Sequence, residues 1–501
     1  MRTTLLFAWS SGLVAAVVIG SATGSTPAAL VCVVAALAGA AVPLGDKSLY
    51  TWVLLYARRN RPIRFGDLVD ISIDGNRAGI RCASGVAVAA VRILGKAHQP
   101  TRLSGATPPE TSNTLDLCWL IPALKQTLGI TLDSISVVMA GSRRSTHGDY
   151  PRVYDSLLGA APYAGLRETW LLLRVPDLLN GEALQCRPSL GSATASCARR
   201  TAAMLRQRGV RARVATASEI SEFERRVGRE GLEGRNRCWD GLRSDTGWLT
   251  TFAYRTSEFD SERLGQAWLW QADGVIQNVT IVPGGTATAT VTVRSSQRLA
   301  SAPSASLRTL HGEQAQAAAL NMCVARQHLT ATGRVPLPVS LVLPVGPSGV
   351  LIGKYRSGGR MLLPLTDAGE ESRVHIAAED DIAYRVVMRL AATGEPMTVH
   401  TGDITRWKRL RMPNLVVTEG TRPIDGTTTS VLDGTLPPTP RPRTIISIGA
   451  PHEHAPSAEV LLEQIGPQTL RITTAGVSAE IDVEMFRVEK SYLPAVRTES
   501  H

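Results

Sequence analysis

The amino-acid sequence predicts an α/β protein in which an N-terminal transmembrane helix hairpin precedes a large cytosolic α/β region, with additional β strands at the C-terminus. Three observations support this prediction. Two uncharged apolar runs lie near the N-terminus, a cluster of arginines follows them, and most of the remaining chain alternates strand-like with helix-like patterns. With 501 residues, the chain is long enough for two or more globular units.

Residues 1–45 are predicted to form the transmembrane hairpin, because the apolar runs 5–20 and 28–43 both lie within them. Each run is somewhat shorter than the roughly 20 residues that cross a bilayer, but uncharged flanking residues can extend it. Arginines follow only the second run, and positive charge stays on the cytoplasmic side. We therefore expect two spans in the inner membrane and the bulk of the chain in the cytoplasm. The alternative for the first run is a cleaved signal peptide ending near Ala22 or Thr23.

Residues 46–66 are predicted to form an interfacial helix and a basic juxtamembrane segment. The helix is apolar and aromatic but too short to cross a bilayer, and such side chains favour the headgroup boundary. The arginines that follow are expected to contact anionic lipid headgroups. The alternative for the aromatic segment is a buried helix inside the soluble domain. The predicted membrane-interface residues are Tyr50, Trp52, Tyr56, Arg58, Arg59, Arg61 and Arg64.

The composition limits the classes of molecule that the protein is expected to bind, but it says little about any reaction that the protein could catalyse. The formal net charge is +11, and aromatic residues make up only 5% of the chain. Because these aromatics are not interleaved with the basic residues, as they are in nucleic-acid-binding modules, we expect no nucleic acid as a partner. Anionic headgroups or an acidic partner explain the charge better. The seven cysteines form no C-x-x-C pair, which predicts reduced, structural thiols.

Residues 67–300 are predicted to form a first cytosolic α/β unit. Small and β-branched residues predict strands within 78–94, and leucines on one side predict a helix over 113–128 that Pro122 would kink. Helix stops and apolar runs predict the remaining elements. These are strands 135–139, 170–175 and 212–215, a helix over 192–209, a helix from Ser218 through Arg226, and an exposed strand over 286–293.

Residues 301–434 are predicted to form a second cytosolic α/β unit, which begins with an Ala/Ser/Pro linker. Asp380 is expected to cap a helix that ends at Gly394, and Asp403 is expected to open another helix. The other elements expected in this unit are a helix over 314–329 and strands over 374–377 and 397–400.

Residues 435–501 are predicted to contain a Pro-rich connector and the C-terminal strands. The two units before them share a spacing, since residues 209–216 and 394–401 each run from a helix stop to a threonine just past a strand. Such patterns favour two wound halves with parallel sheets covered by helices. Internal duplication and the ordinary rhythm of a wound sheet both remain open as the origin of the spacing. The C-terminal strands are expected over 445–448, 470–473 and 479–483.

No residue is assigned to catalysis, to a cofactor or to a metal. Residues 348–355 lack the Gly and the Ser or Thr that a phosphate-binding loop requires at its two ends. Lys354 is soon followed by residues 356–360 and another apolar run, so we interpret this region as a hairpin turn and not as the start of a helix. The acidic residues 379–381 could hold a metal-bound nucleotide sugar, but we favour helix capping and the helix dipole as their role. His452 and His454 have a spacing that can bind zinc. With no third ligand nearby, we favour a solvated loop there.

Several segments together resemble one known family. They are the N-terminal hairpin, the arginine-rich exit at 61–67, the Arg-Glu-Thr-Trp-Leu strand at 167–171, and residues 344–353 leading to 388–394. In these segments the chain resembles EccE, the membrane component of the type VII (ESX) secretion machinery of mycobacteria and related actinobacteria. The resemblance runs from the hairpin to about Trp407, and the chain past Arg411 departs from it.

The resemblance implies a non-enzymatic structural subunit that stabilises a protein-secretion complex of the inner membrane at its periphery. It also implies EccB, EccC and EccD as neighbouring membrane components, with EccC supplying the ATPase, and it brings no catalytic motif and no cofactor. The alternative is a membrane-tethered, glycosyltransferase-like enzyme that acts on a nucleotide-linked or lipid-linked substrate. In that case Glu379, Asp380 and Asp381 would lie near a metal.

Overall fold

The structure is a computed structural model, and it describes most of the chain. It covers residues 18 and 22, Thr26–Ala41, Pro43–Leu44 and residues 47–493, except 74, 106, 331, 454–456 and 475. The first predicted span therefore lies outside the described residues apart from Val18, and the second overlaps the 16-residue helix Thr26–Ala41. Among the helices described, none combines the length and the apolar character that a membrane crossing requires.

Nine α-helices lie within the described residues. Hydroxyl side chains begin several of them, since Ser48 accepts a hydrogen bond from the amide of Thr51, and Ser189 and Thr216 each take part in a capping box. The helices are α1 (Thr26–Ala41), α2 (Leu49–Arg58), α3 (Tyr150–Leu158), α4 (Gly181–Leu184), α5 (Leu190–Gln207), α6 (Ala217–Arg226), α7 (Ser261–Gly265), α8 (Gln314–Ala319) and α9 (Asp380–Thr393). The 3-10 helices are Leu117–Leu120, Pro122–Leu124, Thr127–Gly129, Arg229–Leu232, Gly234–Asn236, Thr256–Glu258, Gln266–Leu269, Ile404–Trp407 and Arg487–Ser491.

A 12-stranded, entirely antiparallel sheet forms the first lobe of the molecule. Helix α5 covers one face of this sheet, and helices α6 and α8 cover the other. Across the sheet the order is Leu242–Ser244, Gly247–Tyr254, Thr286–Ser295, Gly274–Val282, Ser134–Ser142, Leu166–Pro176, Val86–Ile93, Asn76–Ala83 and Asp67–Ile73. Three short strands, Ala212–Val214, Leu307–Thr309 and Val335–Pro336, pair beside this path.

A mixed 11-stranded sheet forms the second lobe, and helices α3 and α9 contribute to its core. Six strands are parallel: Leu415–Thr418, Met397–Thr401, Thr429–Asp433, Thr444–Gly449, Ser372–Ala377 and Val460–Gln464. Antiparallel pairing then continues through Thr469–Thr474, Val477–Val483, Val350–Tyr355, Arg360–Leu363 and Thr101–Leu103. Two small two-stranded sheets pair Pro43–Leu44 with Lys47–Ser48, and Thr114–Asp116 with Val342–Pro344.

The prediction of two wound halves is wrong for the first lobe and partly right for the second. Strand Ala212–Val214 follows a helix, as a wound pattern requires, but it pairs antiparallel with Val86–Ile93. In the second lobe, strands Ser372–Ala377 and Met397–Thr401 flank α9 and lie in the parallel part of the sheet. The C-terminal strands complete that same sheet, and so does Thr101–Leu103 from far upstream.

Three further predicted elements differ from the structure. Residues 113–128 form one strand and three short 3-10 helices, because Pro122 at the start of the second 3-10 helix has no amide hydrogen to continue a helix. The helix expected over 314–329 ends at Ala319. Strand Thr286–Ser295 is mostly buried, because it has partners on both sides and lies inside the sheet.

Most of the other predicted elements are confirmed. The predicted strand 135–139 lies within Ser134–Ser142, and 170–175 lies within Leu166–Pro176. Helix α9 ends at Gly394, whose φ of +105° is the left-handed conformation that glycine adopts easily. Strands Val350–Tyr355 and Arg360–Leu363 pair antiparallel and the turn lies between them, so the interpretation of the region after Lys354 as a hairpin turn is confirmed.

The two lobes are joined by a bidentate ion pair. Arg211, which follows α5 in the first lobe, places its two terminal nitrogens 2.6 and 2.9 Å from the carboxylate oxygens of Asp367 in the second. Asp367 is buried, so solvent screens this pair less than it would a surface pair. The contact helps to fix how the lobes sit relative to each other.

Candidate membrane-facing site

Helix α2 docks one of its faces on the first lobe. Leu55 is only 3% exposed. The ring of Trp52 lies 5.8 Å from that of Trp239 and 6.0 Å from that of His311, in tilted arrangements that are favourable for aromatic side chains. Gly312, with a φ of +74°, allows this close packing, because an added Cβ would lie 2.7 Å from the Trp239 ring.

The opposite face of α2 is exposed and apolar. Val53 and Tyr56 are each 60% exposed, although the ring of Tyr56 also reaches within 6.3 Å of Trp239. Of the three aromatic residues predicted to contact the membrane, Trp52 is therefore partly docked on the lobe and Tyr56 faces outward. The side chain of Tyr50 lies outside the description. One face of α2 packs on the lobe, as the buried-helix alternative predicts, and the other face is exposed, as an interfacial helix requires. Its contact with a membrane stays a prediction.

The juxtamembrane arginines are held by their backbone and leave their charges available. The carbonyl of Arg58 accepts a hydrogen bond from Gln316, and the carbonyl of Arg61 accepts one from Arg237 at 2.7 Å. The guanidinium of Arg59 lies 3.6 Å from the centre of the Tyr56 ring. Within the described part of the chain, none of Arg58, Arg59, Arg61 and Arg64 forms an ion pair with a carboxylate. Their charges are therefore free to meet an anionic surface.

The exit from this segment is fixed to the lobe through Phe65 and Gly66. The Phe65 ring lies between two guanidinium groups, 5.4 Å from Arg81 and 4.4 Å from Arg229. Arg81 also donates a 3.1 Å hydrogen bond to the carbonyl of Gly66. Gly66 has a φ of +54° and passes so close to strand Asn76–Ala83 that an added Cβ would lie 2.0 Å from the carbonyl oxygen of Cys82. Only glycine fits this crossing.

A buried ion pair stands behind the exit segment. Arg81 and Glu224 are 2% and 0% exposed, and their side chains meet at 2.5 Å. Glu224 also accepts a hydrogen bond from the amide of Cys323 and lies 3.3 Å from Arg229. Burial raises the pKa of Glu224 above its usual value, and the opposing effects of Arg81, the Cys323 amide and Arg229 offset only part of that rise. The position of the exit segment therefore depends on Arg81, which contacts Phe65, Gly66 and the buried Glu224.

The acidic residues at the start of α9 are engaged with arginines. Asp380 lies 2.6 Å from Arg406, and Asp381 lies 3.3 Å from Arg385 one turn along the helix. The prediction that Asp380 caps this helix is wrong, because Asp380 is its first residue and Glu379 occupies the cap position without a side-chain hydrogen bond. Both aspartates still lie in the first turn, where the helix dipole favours negative charge.

The residues considered for zinc do not come together in the part of the chain that is described. His452 lies 3.5 Å from Glu463, and His454 lies outside the described residues. A search of those residues finds no group of three or more His, Cys, Asp or Glu side chains that could hold a metal ion. The six cysteines described are free thiols, and their reduced state stays a prediction.

Comparison with known proteins decides the family. Residues 163–254 match the model of the EccE family of the type VII ESX secretion system translocon. The chain is 42% identical over 498 residues to the ESX-2 secretion system protein EccE2 of Mycobacterium tuberculosis (strain CDC 1551 / Oshkosh), covering 95% of this chain and 93% of that protein. The chain belongs to the EccE family.

Two EccE relatives from another system are similar over a shorter region. The ESX-5 secretion system protein EccE5 of Mycobacterium marinum (strain ATCC BAA-535 / M) is 30% identical over 200 residues, which cover 38% of this chain and 50% of that protein. EccE5 of M. tuberculosis (strain ATCC 25618 / H37Rv) is 28% identical over 212 residues, covering 41% and 48%. The EccE resemblance drawn from the hairpin, the basic exit and the 167–171 strand is thus confirmed.

The residues that match the EccE family model include several of those that receive helix α2 and the exit segment. Glu224, Arg237 and Trp239 all lie within 163–254. Sequence reasoning missed Arg237, Trp239 and His311 as partners of the helix. The sequence offers one signal, a tryptophan in a loop that ends in glycine. This pattern predicts that the ring packs against another part of the chain, but it does not identify the residues that it contacts.

Proposed function

We propose that this chain is a non-enzymatic structural subunit of an inner-membrane type VII (ESX) protein secretion complex, which it stabilises at the periphery. The observation that carries the proposal is the 42% identity to an ESX-2 secretion system protein over 95% of this chain. EccB, EccC and EccD are the proposed neighbours in the complex, and no nucleic acid takes part. Along the sequence, the proposed division of the chain is 1–45, 46–66, 67–300, 301–434 and 435–501. The lobes exchange short strands across these limits, since Thr101–Leu103 pairs in the second sheet and Leu307–Thr309 and Val335–Pro336 pair in the first.

The proposed location is the cytoplasmic (inner) membrane, with two spans and the bulk of the chain in the cytoplasm. The juxtamembrane geometry supports this location. The exposed face of α2 carries Val53 and Tyr56, and unpaired arginines follow directly, so apolar and cationic groups lie next to each other, as at a headgroup boundary. Phe65 and the Arg81–Glu224 pair then hold the first lobe close to that boundary.

The proposal that the chain is not an enzyme is supported by what the acidic residues do. Asp380 and Asp381 each pair with an arginine, and the amide of Glu379 donates a hydrogen bond to Gln464. The arginine compensates the negative charge of each aspartate, so the carboxylate stabilises the local structure through this ion pair. We assign these residues to folding and assign the function of the chain to assembly.

A secretion assay tests the proposal. Deletion of the chain should abolish export of the proteins that depend on its secretion system, and the wild-type chain should restore export. The Asp380→Asn variant should restore it equally well, since an exposed ion pair contributes at most about 1 kcal/mol to stability. Unimpaired export in the deletion strain would reject the assembly role, and loss of export with Asp380→Asn at normal protein level would favour the enzyme.

A further inference from the structure

A small pocket opens beside the C-terminal end of α2. Its volume is about 330 Å³, near the lower end of the roughly 300–1,000 Å³ range of pockets that hold small ligands. The residues that shape it include Arg59 from the juxtamembrane segment, Arg237 and Trp239 from the loop before strand Leu242–Ser244, and Gly312. The pocket is thus formed where the basic exit of the membrane segment meets the first lobe.

The pocket carries positive charge that no described lining residue neutralises. Arg59 forms no ion pair within the described chain, and its guanidinium lies over the Tyr56 ring. Arg237 donates one hydrogen bond to the carbonyl of Leu232 and one to that of Arg61, which leaves its second terminal nitrogen, Nη2, without a partner among the described residues. Burial lowers the pKa of Arg237, and no carboxylate opposes that effect. An anionic ligand would supply the missing counter-charge.

The nearest acidic group along the chain is already occupied. Asp240 lies 2.5 Å from His311 and 3.4 Å from Arg298, and none of the residues that line the pocket is acidic. Trp239 lines the pocket, and its ring lies 5.8 Å from that of Trp52 and 6.3 Å from that of Tyr56. Arginine beside tryptophan and tyrosine is the combination found where a protein surface meets lipid headgroups.

We propose that this pocket binds the phosphate group of an anionic phospholipid, with Arg59 and Arg237 donating hydrogen bonds to the phosphate oxygens and Trp239 packing beside the headgroup. Arginine suits this role because its planar group presents several donors to one phosphate. The inference rests on the proposed function in one respect, because the proposed function places α2 at the membrane boundary. A bound lipid would join the juxtamembrane segment to the loop at Trp239 and so fix the first lobe against the bilayer.

The test uses the purified full-length chain in a neutral detergent. The chain is titrated separately with phosphatidylglycerol and phosphatidylcholine, and bound lipid is counted by native mass spectrometry. We expect one phosphatidylglycerol to bind in preference to phosphatidylcholine, and Arg59→Gln to weaken its affinity about tenfold, which corresponds to the loss of one hydrogen bond to a charged group. Arg59→Lys keeps the charge but loses the planar group of donors, so its affinity should lie between those of Arg59→Gln and wild type.

The matched control is Arg422→Gln, which removes the same charge at an exposed residue of the second lobe that lies outside the pocket. Its affinity for phosphatidylglycerol should stay within about twofold of wild type, because a single distant surface charge is largely screened at physiological salt. An equal loss in Arg59→Gln and Arg422→Gln would overturn the pocket in favour of diffuse attraction. Since Arg237 also supports two backbone carbonyls, the decision rests on Arg59.

Inorganic phosphate separates a lipid site from a general anion site. The proposal expects phosphate at millimolar concentration to leave bound phosphatidylglycerol in place, because the headgroup and the acyl chains add contacts that phosphate lacks. If phosphate displaced the lipid at a phosphate concentration similar to the lipid concentration, the assignment of the pocket to a lipid would be overturned. These measurements use the isolated chain, so they succeed or fail independently of whether the chain joins a secretion complex.

Discussion

At the scale of single residues, buried charges decide how the juxtamembrane segment and the two lobes are held. Arg81 and Glu224 form such a pair in the first lobe. In the second lobe, Glu489 is fully buried and accepts hydrogen bonds from Tyr150, Arg385 and Arg389. Removal of one partner from such a group leaves an uncompensated buried charge, which costs far more than the pair contributes as a whole.

The pair behind the exit segment gives a double-mutant prediction. Arg81→Met should destabilise the protein by about 3–5 kcal/mol, because it leaves Glu224 buried without its main partner. The double variant Arg81→Met/Glu224→Leu should recover most of that loss, since two apolar side chains need no counter-charge. Chemical denaturation of the three proteins measures the difference. Equal instability of the single and the double variant would show that the Gly66 and Phe65 contacts, and not the charge pair, dominate.

Glu489 gives a prediction about pH. Burial would raise the pKa of Glu489, but hydrogen bonds and the charge of Arg389, together with Tyr150 and Arg385, outweigh burial and lower it below the usual value. A lowered pKa stabilises the fold above the unfolded value of about 4.3, and that stabilisation is lost as the pH falls through the folded value. Wild-type stability should therefore decrease in acid. The decrease should be smaller in Glu489→Gln, which should already be about 3–5 kcal/mol less stable at pH 7.

The control for this pH dependence is Glu419→Gln. Glu419 is exposed and forms no ion pair among the described residues, so the variant should keep the wild-type pH profile and stay within about 0.5 kcal/mol of wild-type stability. Thermal melts between pH 3 and pH 7 compare the three proteins. Identical acid profiles for wild type and Glu489→Gln would contradict the role assigned to Glu489.

At the scale of elements, helix α2 is the part of the candidate site through which the first lobe is proposed to meet the membrane. Leu55→Ala should destabilise its docking by about 2–3 kcal/mol, because Leu55 is buried against the lobe. Val53→Ala, two positions away on the exposed face, should change stability by less than about 0.5 kcal/mol. Hydrogen exchange in α2 measures the docking. Similar exchange in the two variants would show that α2 is not held through the Leu55 face.

The elements also show what could be predicted from sequence. Strands with strong local patterns, such as 135–139 and 170–175, were predicted correctly, and so were α9 and its glycine stop. Strand direction could not be predicted, because Ala212–Val214 follows a helix and still pairs antiparallel through contacts distant in the chain. Burial of Thr286–Ser295 likewise depends on two partner strands that its own alternation does not reveal.

The candidate site could be predicted only in part, because local sequence patterns do not reveal contacts between residues that are distant in the chain. Runs of arginine and of aromatic residues are visible in the sequence, and they led to the seven residues that are predicted to lie at the membrane interface. Their partners Arg237, Trp239 and His311 lie far along the chain, and the fold alone brings them to α2. The Asp380 cap was mispredicted by one position, because the helix begins at Asp380 itself and Glu379 occupies the cap position.

At the scale of the whole molecule, the proposed assembly role depends on the soluble lobes and the basic segment more than on the spans. Between helices in lipid the hydrophobic effect gives no driving force, so two spans offer mainly close packing of small residues. Each juxtamembrane arginine near an anionic surface contributes about 1 kcal/mol. The four arginines and the large folded surface behind them are therefore expected to hold the chain in the complex.

The most direct test is to purify the native complex from membranes through a tag on this chain and to identify the co-purifying proteins. EccB, EccC and EccD should accompany the wild-type chain. They should also accompany a variant in which the apolar residues of 5–20 are exchanged for leucine, whereas reversal of Arg58, Arg59, Arg61 and Arg64 to Glu should weaken their recovery. Recovery of the wild-type chain without these components, or release by the leucine exchange while the arginine variant stays bound, would contradict the account.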